Sequence, residues 1–589
     1  MSSTIKSEIT QQPGRGRVPV WSRKASSIAL IYGEDNIRVD MTREGNWWLS
    51  PVELPDGTRY AFSVDGSEPV ADPRALKRPY GVHGPAQTWT PPAAVSYDAG
   101  DLLGRVFYEM HIGTFTDEGT FDAAIARLDH LVDLGVDVVE VMPVASFPGA
   151  FGWGYDGVSL YATHESYGGP EGFRRFIDAA HNRGLSVCLD LVLNHFGPVG
   201  NYIAVFDDYY SAIHDTPWGP AFDLDGENRH HVREFLVGVA LYWLKDMGVD
   251  GLRLDAVHAL ADNSPYHFLA ELSDAVKELE RNTGRTFTLI AESDLNDPIM
   301  VTPTANGGRG MDGQWDDDIH HSIHALFTGE RQGYYEDFAN RDAIVKAFED
   351  VFFHNGTYSS FRGSLWGREV ERSMDRRKFV AFSQNHDQVG NRAIGDRPSR
   401  TLSDAQLAAQ AALVLLSPFT PMLFQGEEWA SKSPFLFFSD QEGDAAMAQA
   451  MRDGRRAEFA THGWDSIYGT RIEVPDPTDR RTFKQSILDW DNSLSDRGQA
   501  MLRWYRSLIA LRRRVPEFSN GAPVSVRWDA DLLIVERDSG PVIAVNFGAA
   551  RTVDNVEEIL LAWPDNASSS ALILDTGDTV IYRPLSQQS

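Results

Sequence analysis

From Arg105 onward the chain alternates short apolar runs with helix-like stretches, and this alternation restricts the fold more than any other feature. Eight runs read as strands: 106–112, 136–142, 185–191, 251–255, 287–292, 311–315, 379–383 and 419–425. Helical segments fall between them at 121–134, 171–183, 231–247, 265–281 and 404–416. Eight β/α units in succession predict a closed (β/α)8 barrel of the TIM type. The sixth run, 311–315, is the most polar and glycine-rich of the set.

The flanks follow a different period. Residues 18–95 carry short apolar runs at 27–32, 47–49 and 60–64, separated by turn signals such as Pro55-Asp56-Gly57 and Asp65-Gly66. That pattern predicts a small all-β sandwich, with Trp21, Trp47 and Trp48 serving its core and its packing on the barrel rather than a ligand. The Pro- and Gly-bearing stretch 91–104 reads as a linker. At the other end a last barrel helix is expected at 498–513, followed by strands at 524–535, 542–547 and 571–582. The expected organisation is an N-terminal β-sandwich (1–95), a catalytic barrel with insertions (96–515) and a C-terminal β-sandwich (516–589), and 589 residues exceed what one core usually holds.

Several classes are excluded at this level. No run approaches the roughly 18 apolar residues of a membrane span. With 84 acidic against 54 basic residues, a net charge of -30, the surface repels nucleic acid and anionic membranes. The polar stretch 1–17 lacks a secretory core, and the single cysteine, Cys188, forms no internal disulfide, so the cytoplasm is the expected location.

The chemistry concentrates at strand ends. Alternation along Gly251-Leu252-Arg253-Leu254-Asp255 sets the two leucines on one face and Arg253 with Asp255 on the other. Glu292 ends the run Thr288-Leu289-Ile290-Ala291, and Asp387 follows Phe382-Ser383-Gln384-Asn385-His386. The C-terminal ends of barrel strands are where such folds keep their catalytic groups, so three carboxylates are expected around one mouth. Crowded carboxylates tend to titrate apart, which suits a glycosidase: one gives a proton to the leaving oxygen while another attacks the anomeric carbon. Arg253 is expected to hold Asp255 ionised and oriented. A structural ion network is the alternative reading of the same residues.

Four ordered motifs carry a family resemblance. Asp190-Leu191-Val192-Leu193-Asn194-His195, Gly251 to Asp255, Ala291-Glu292-Ser293 and Asn385-His386-Asp387 resemble those of the α-amylase superfamily. The resemblance implies Asp255 as nucleophile, Glu292 as general acid/base and Asp387 as the third carboxylate, binding ring hydroxyls. It implies that Arg253, His195 and His386 line the site of the cleaved sugar and that Tyr155 stacks on it. Asp190 and Asn194 are compatible with substrate contact or with support of the third strand's mouth. Some members bind calcium through this asparagine; no acidic cluster completes such a site here, so neither metal nor cofactor is expected.

Within the superfamily, further stretches are similar to the maltooligosyltrehalose trehalohydrolases: Asp72-Pro73-Arg74, Gly81 to Pro85, Phe107 to Thr116, His258 after the nucleophile strand, Trp315 to His321, Thr328-Gly329-Glu330 and Gln425 to Trp429. The resemblance implies hydrolysis of the α-1,4 bond next to the terminal trehalose of a trehalose-capped glucan, with retention, the two working carboxyls being about 5 Å apart. Trp218, in the long loop after the third strand, is a candidate sugar-stacking face or else an anchor of its own loop. Phe361-Arg362 is placed to meet the leaving disaccharide, and the Trp315 to His324 segment reads equally as site or as scaffold. A branching enzyme or a general amylase would use the same machinery. A non-catalytic glucan-binding protein would have lost a carboxylate, and none is lost.

Overall fold

The computed structural model describes residues 17–585 except 94, 442, 461–466, 470–471, 539 and 565–571. The polar stretch read for a leader therefore lies, apart from Arg17, outside the described residues, as does the first residue of the run 571–582.

All eight expected runs form strands: β1 (Phe107–Met110), β2 (Val138–Val141), β3 (Ser186–Leu191), β4 (Gly251–Leu254), β5 (Thr288–Ala291), β6 (Gly313–Trp315), β7 (Phe379–Ala381) and β8 (Thr420–Phe424). Each pairs in parallel with its sequence neighbours, and β8 pairs with β1, so the sheet closes. Side chains alternate as the pattern requires: Leu252 and Leu254 pack outward against the helices, while Phe107, Val138, Cys188, Ile290, Trp315, Val380 and Met422 fill the barrel interior.

The described residues of the stretch 91–104, read as a linker, form neither helix nor strand, but the stretch is more than a tether. Leu102, fully buried, and Ala99 plug the same interior cluster, and a Cβ on Gly251 would meet the Leu102 side chain at 3.1 Å. The lower end of the barrel is thus sealed by apolar side chains, and polar groups are left for the upper mouth.

Three expected elements are divided. The helix expected over 121–134 breaks into Phe121–Ile125 and Leu128–Leu134, where bonds of i→i−3 spacing tighten the turn around Arg127. The helix over 231–247 begins at Arg229 and widens into a π-turn over Tyr242–Met247, seating Trp243, whose indole N–H donates to Leu160 O. The run 524–535 is a hairpin of Ser525–Asp529 and Leu532–Glu536, reversed at Ala530 with φ of 51°.

The N-terminal region forms a three-stranded and a four-stranded sheet around Val20, Leu30, Trp48 and Phe62. Its tryptophans are buried. Trp21 stacks on His231 of the barrel at 3.3 Å, and Arg23 pairs with Asp207. Arg74 reaches across to the Tyr161 hydroxyl and lies over the Trp47 and Phe235 rings. The C-terminal region forms a five-stranded and a two-stranded sheet, which includes the strand Val556–Trp563 that the sequence pattern did not single out. No helix among the described residues is long and apolar enough to cross a membrane.

Candidate active site

Strand register brings the first two carboxylates together. Leu254 pairs with Ala291 in the β4–β5 ladder, so the next residues, Asp255 and Glu292, leave the barrel side by side. On the other side Asp190 pairs with Arg253 in the β3–β4 ladder. Asp387 arrives from the short helix His386–Gly390 after β7. All three carboxylates line one open cavity of about 490 Å³ with Tyr155, His195, Trp218, His258 and His386.

Arg253 organises this mouth. Fully buried, it donates from Nη1 to Asp255 Oδ1 at 3.0 Å and to Asp190 Oδ2 at 2.7 Å, and from Nη2 to Glu292 Oε2 at 2.7 Å. Beneath it the Trp315 ring lies 4.2 Å from the guanidinium carbon, within the barrel interior rather than on the cavity lining. Such a buried charge needs carboxylate partners, and Arg253 has three of them, so that the cation stays compensated at the mouth.

The backbone just after β4 is strained to serve the same purpose. Ala256 adopts φ of 39° without being glycine, and in that conformation its N–H donates to Glu292 Oε2 at 2.8 Å. Strain of this kind persists only where the surroundings enforce it. Asn194 donates to Asp255 Oδ2 at 2.7 Å and accepts from His195, whose other ring nitrogen meets Tyr155 O. Asp190 and Asn194 therefore touch the other site residues directly. Among the described residues no group of three or more His, Cys, Asp or Glu is arranged to hold a metal ion.

A relay runs around the far side. His386 donates from Nδ1 to Glu109 Oε1 at 2.5 Å and from Nε2 to the Tyr155 hydroxyl at 2.8 Å, and Tyr155 donates to Asp190 Oδ2 at 2.6 Å. Burial opposes a charge on His386, but Asp387 and Glu109 outweigh it and lift the imidazole to about 9. Burial lifts the Asp190 carboxyl to about 7 against the pull of Arg253, with Asp255 adding repulsion. The Tyr155 ring stacks on His386, and Gly154 sets its position: at φ of 103°, a Cβ there would fall 2.1 Å from Pro143 O.

The remaining expected residues divide by side. Trp218 is half-exposed and stacks on His195, so it both lines the cavity and rests on its own support. His258 is exposed and accepts from Asp294 N. Phe361 is exposed, and Arg362 pairs with Asp294, two residues beyond Glu292, without lining the cavity itself. In the 315–321 stretch Asp316 caps the helix Asp317–Thr328 and Asp318 accepts from Asn296 and His354; both are scaffold. Asp317 accepts from Gln388 at 3.2 Å. Burial, then Glu292, Asp294 and Asp387, raise its carboxyl to about 8. Glu427 and Glu428 anchor Ser383, Tyr505, Tyr108 and His130 behind the barrel.

Sequence reasoning missed Glu109, Ala256, Asn391, Phe437, Phe438, Met451 and Arg455. Glu109 lies in the quoted stretch 107–116, and its position at the end of β1 was the available signal. The others stand on loops and on a helix whose composition is ordinary.

Comparison with known proteins agrees with this geometry. Residues 94–218 match the α-amylase catalytic domain family. The chain is 49% identical over 508 residues to the malto-oligosyltrehalose trehalohydrolase of Arthrobacter ramosus, covering 85% of this chain and 87% of that one. It is 45% identical over 559 residues to that of Mycobacterium tuberculosis, covering 92% and 95%. A crystal structure described as that of a "putative alpha amylase" from Salmonella typhimurium superposes with a TM-score of 0.88 at 35% identity over 98% of both chains. By barrel, by carboxylate arrangement and by sequence over most of its length, the chain belongs to the malto-oligosyltrehalose trehalohydrolase family of α-amylase-type glycoside hydrolases.

Proposed function

We propose that the protein hydrolyses the α-1,4-glucosidic bond next to the terminal trehalose of maltooligosyl trehalose, releasing trehalose and a maltooligosaccharide, as a step of trehalose biosynthesis. The observation that carries this reading is the attachment of Asp255 and Glu292 to the two terminal nitrogens of one buried guanidinium, that of Arg253. Two carboxylates anchored to one cation at one mouth supply the nucleophile and the acid that a retaining enzyme uses on a single bond.

In this mechanism Glu292 protonates the glycosidic oxygen while Asp255 attacks the anomeric carbon, giving a covalent glycosyl-enzyme. Glu292 then removes a proton from water, which releases the sugar with its configuration retained. Asn194 and Arg253 keep one oxygen each of Asp255 occupied, so the attacking geometry is set before substrate arrives. Asp387 and His386 meet the ring hydroxyls and the charge that develops in the transition state. Trp218 offers a face to the sugar rings, and His258 with Arg362 stands on the side of the departing disaccharide. The buried, lone Cys188, which leaves no internal disulfide, supports a cytoplasmic setting.

Two measurements test the reaction type. Proton NMR of the first turnover should show the newly formed reducing end as the α anomer; an initial β anomer would contradict retention. Iodine staining and branch analysis of amylose incubated with the enzyme should show no new branches, and branch formation would favour the transferase reading.

A further inference from the structure

Chemistry divides the cavity into two sides. Glu292 must reach the oxygen of the departing group, so the leaving disaccharide lies beyond Glu292, toward His258 and Trp218. The glucan chain that stays bound to Asp255 extends the other way, past Asp387. The wall on that side is formed by Asn391, Phe437, Phe438, Met451 and Arg455. Met451 and Arg455 belong to the helix Ala445–Ala460, which is inserted between β8 and the barrel helix Asp496–Arg514. Four residues apart, they share one helix face.

Among the contacts of Arg455, two hold its guanidinium at this wall. Its Nη2 donates to Gly390 O at 2.6 Å and its Nη1 to Asn391 Oδ1 at 3.2 Å. Asn391 in turn donates to Asp387 Oδ1 at 3.2 Å. The guanidinium carbon lies 5.1 Å from the centre of the half-buried Phe437 ring and 4.3 Å from that of Phe459. A planar group with five N–H donors beside an apolar ring is suited to a pyranose, which offers hydroxyls at its rim and C–H groups on its faces.

We propose that the helix Ala445–Ala460 forms the glucan-chain side of the active-site cavity and that Arg455 is its specificity-determining residue, donating to hydroxyls of the glucan beyond the cleaved sugar. This rests on the hydrolase reading above. Longer glucan chains lay more of their length along this wall than shorter ones do, so Arg455 sets how steeply catalysis rises with chain length.

The test is kcat/KM for trehalose release from maltooligosyl trehaloses of increasing glucan length, in the wild type, Arg455→Met and Arg455→Lys. In the wild type the ratio of the longest to the shortest substrate exceeds one. Arg455→Met should lower that ratio by about tenfold, the scale of one charge-assisted hydrogen bond, and Arg455→Lys should restore part of it. An equal loss at every length, the mark of a merely structural role, or no loss at all, overturns the proposal. If Arg455→Met loses its thermal transition, Met451→Ala clears the same helix face; it should lower the same ratio, and an unchanged ratio overturns the proposal. Absence of trehalose release by the wild type would instead refute the hydrolase reading, which separates the two failures.

Discussion

Asn194 donates its side-chain amide to Asp255 twice, to Oδ2 at 2.7 Å and to the backbone oxygen at 2.8 Å. Asp255 is thereby fixed from the third strand, while Arg253 fixes its other oxygen from the fourth. For Asn194→Ala we expect kcat to fall about 10- to 100-fold, the loss of a hydrogen bond to a charged group, with KM little changed. Steady-state kinetics on maltooligosyl trehalose measure this. An unchanged kcat would show that Arg253 alone suffices.

Asp255→Asn keeps the shape of the site but removes the attacking carboxylate. Activity should fall at least about 10³-fold, while the circular dichroism spectrum stays that of the wild type, because Arg253 retains Asp190 and Glu292 as partners. Normal turnover would remove Asp255 from the mechanism.

The His386–Glu109 pair predicts a pH dependence of stability. The folded imidazole titrates at about 9, above its ordinary value near 6.5, so its contribution is full below about pH 6.5 and is lost as pH rises through 9. The corresponding fall in stability is at most of order 3 kcal/mol. In Glu109→Gln one of the two carboxylates that lift the pKa is gone, and the slope of the unfolding midpoint against pH between 6.5 and 9 should become shallower. An identical slope would contradict the pairing.

Asp317 lies between the strand that delivers Glu292 and the strand that delivers Asp387. Glu292, Asp294 and Asp387 face it, Asp318 stands beside it, and its carboxyl titrates at about 8. Above that pH it adds a negative charge to the carboxylate cluster, so kcat/KM should fall. Asp317→Asn, which mimics the protonated form, should move this alkaline limb upward while leaving activity at neutral pH within about threefold. A limb that stays in place would assign it to another group.

Much of this was legible in the sequence because the barrel repeats one physical unit. All eight strands were marked by short apolar runs, and the three carboxylates by their places just past strand ends. Arg253 and Asp255 could be put on one face from alternation alone. The divided helix over 121–134 and the hairpin within 524–535 were not legible, since apolar periodicity continues through both breaks. Ala256 was missed because its strained backbone is enforced by Glu292, 36 residues away. Arg455 was missed because nothing in the pattern of residues 445–460 singled that stretch out, and only tertiary packing brings one face of its helix to the cavity.

The central claim is tested most directly by incubating the enzyme with maltooligosyl trehalose and, separately, with the plain maltooligosaccharide of equal length, and measuring free trehalose and new reducing ends over time. The expected result is stoichiometric release of trehalose from the first substrate and far slower cleavage of the second. Equal cleavage of both would contradict the account and make the protein a general amylase.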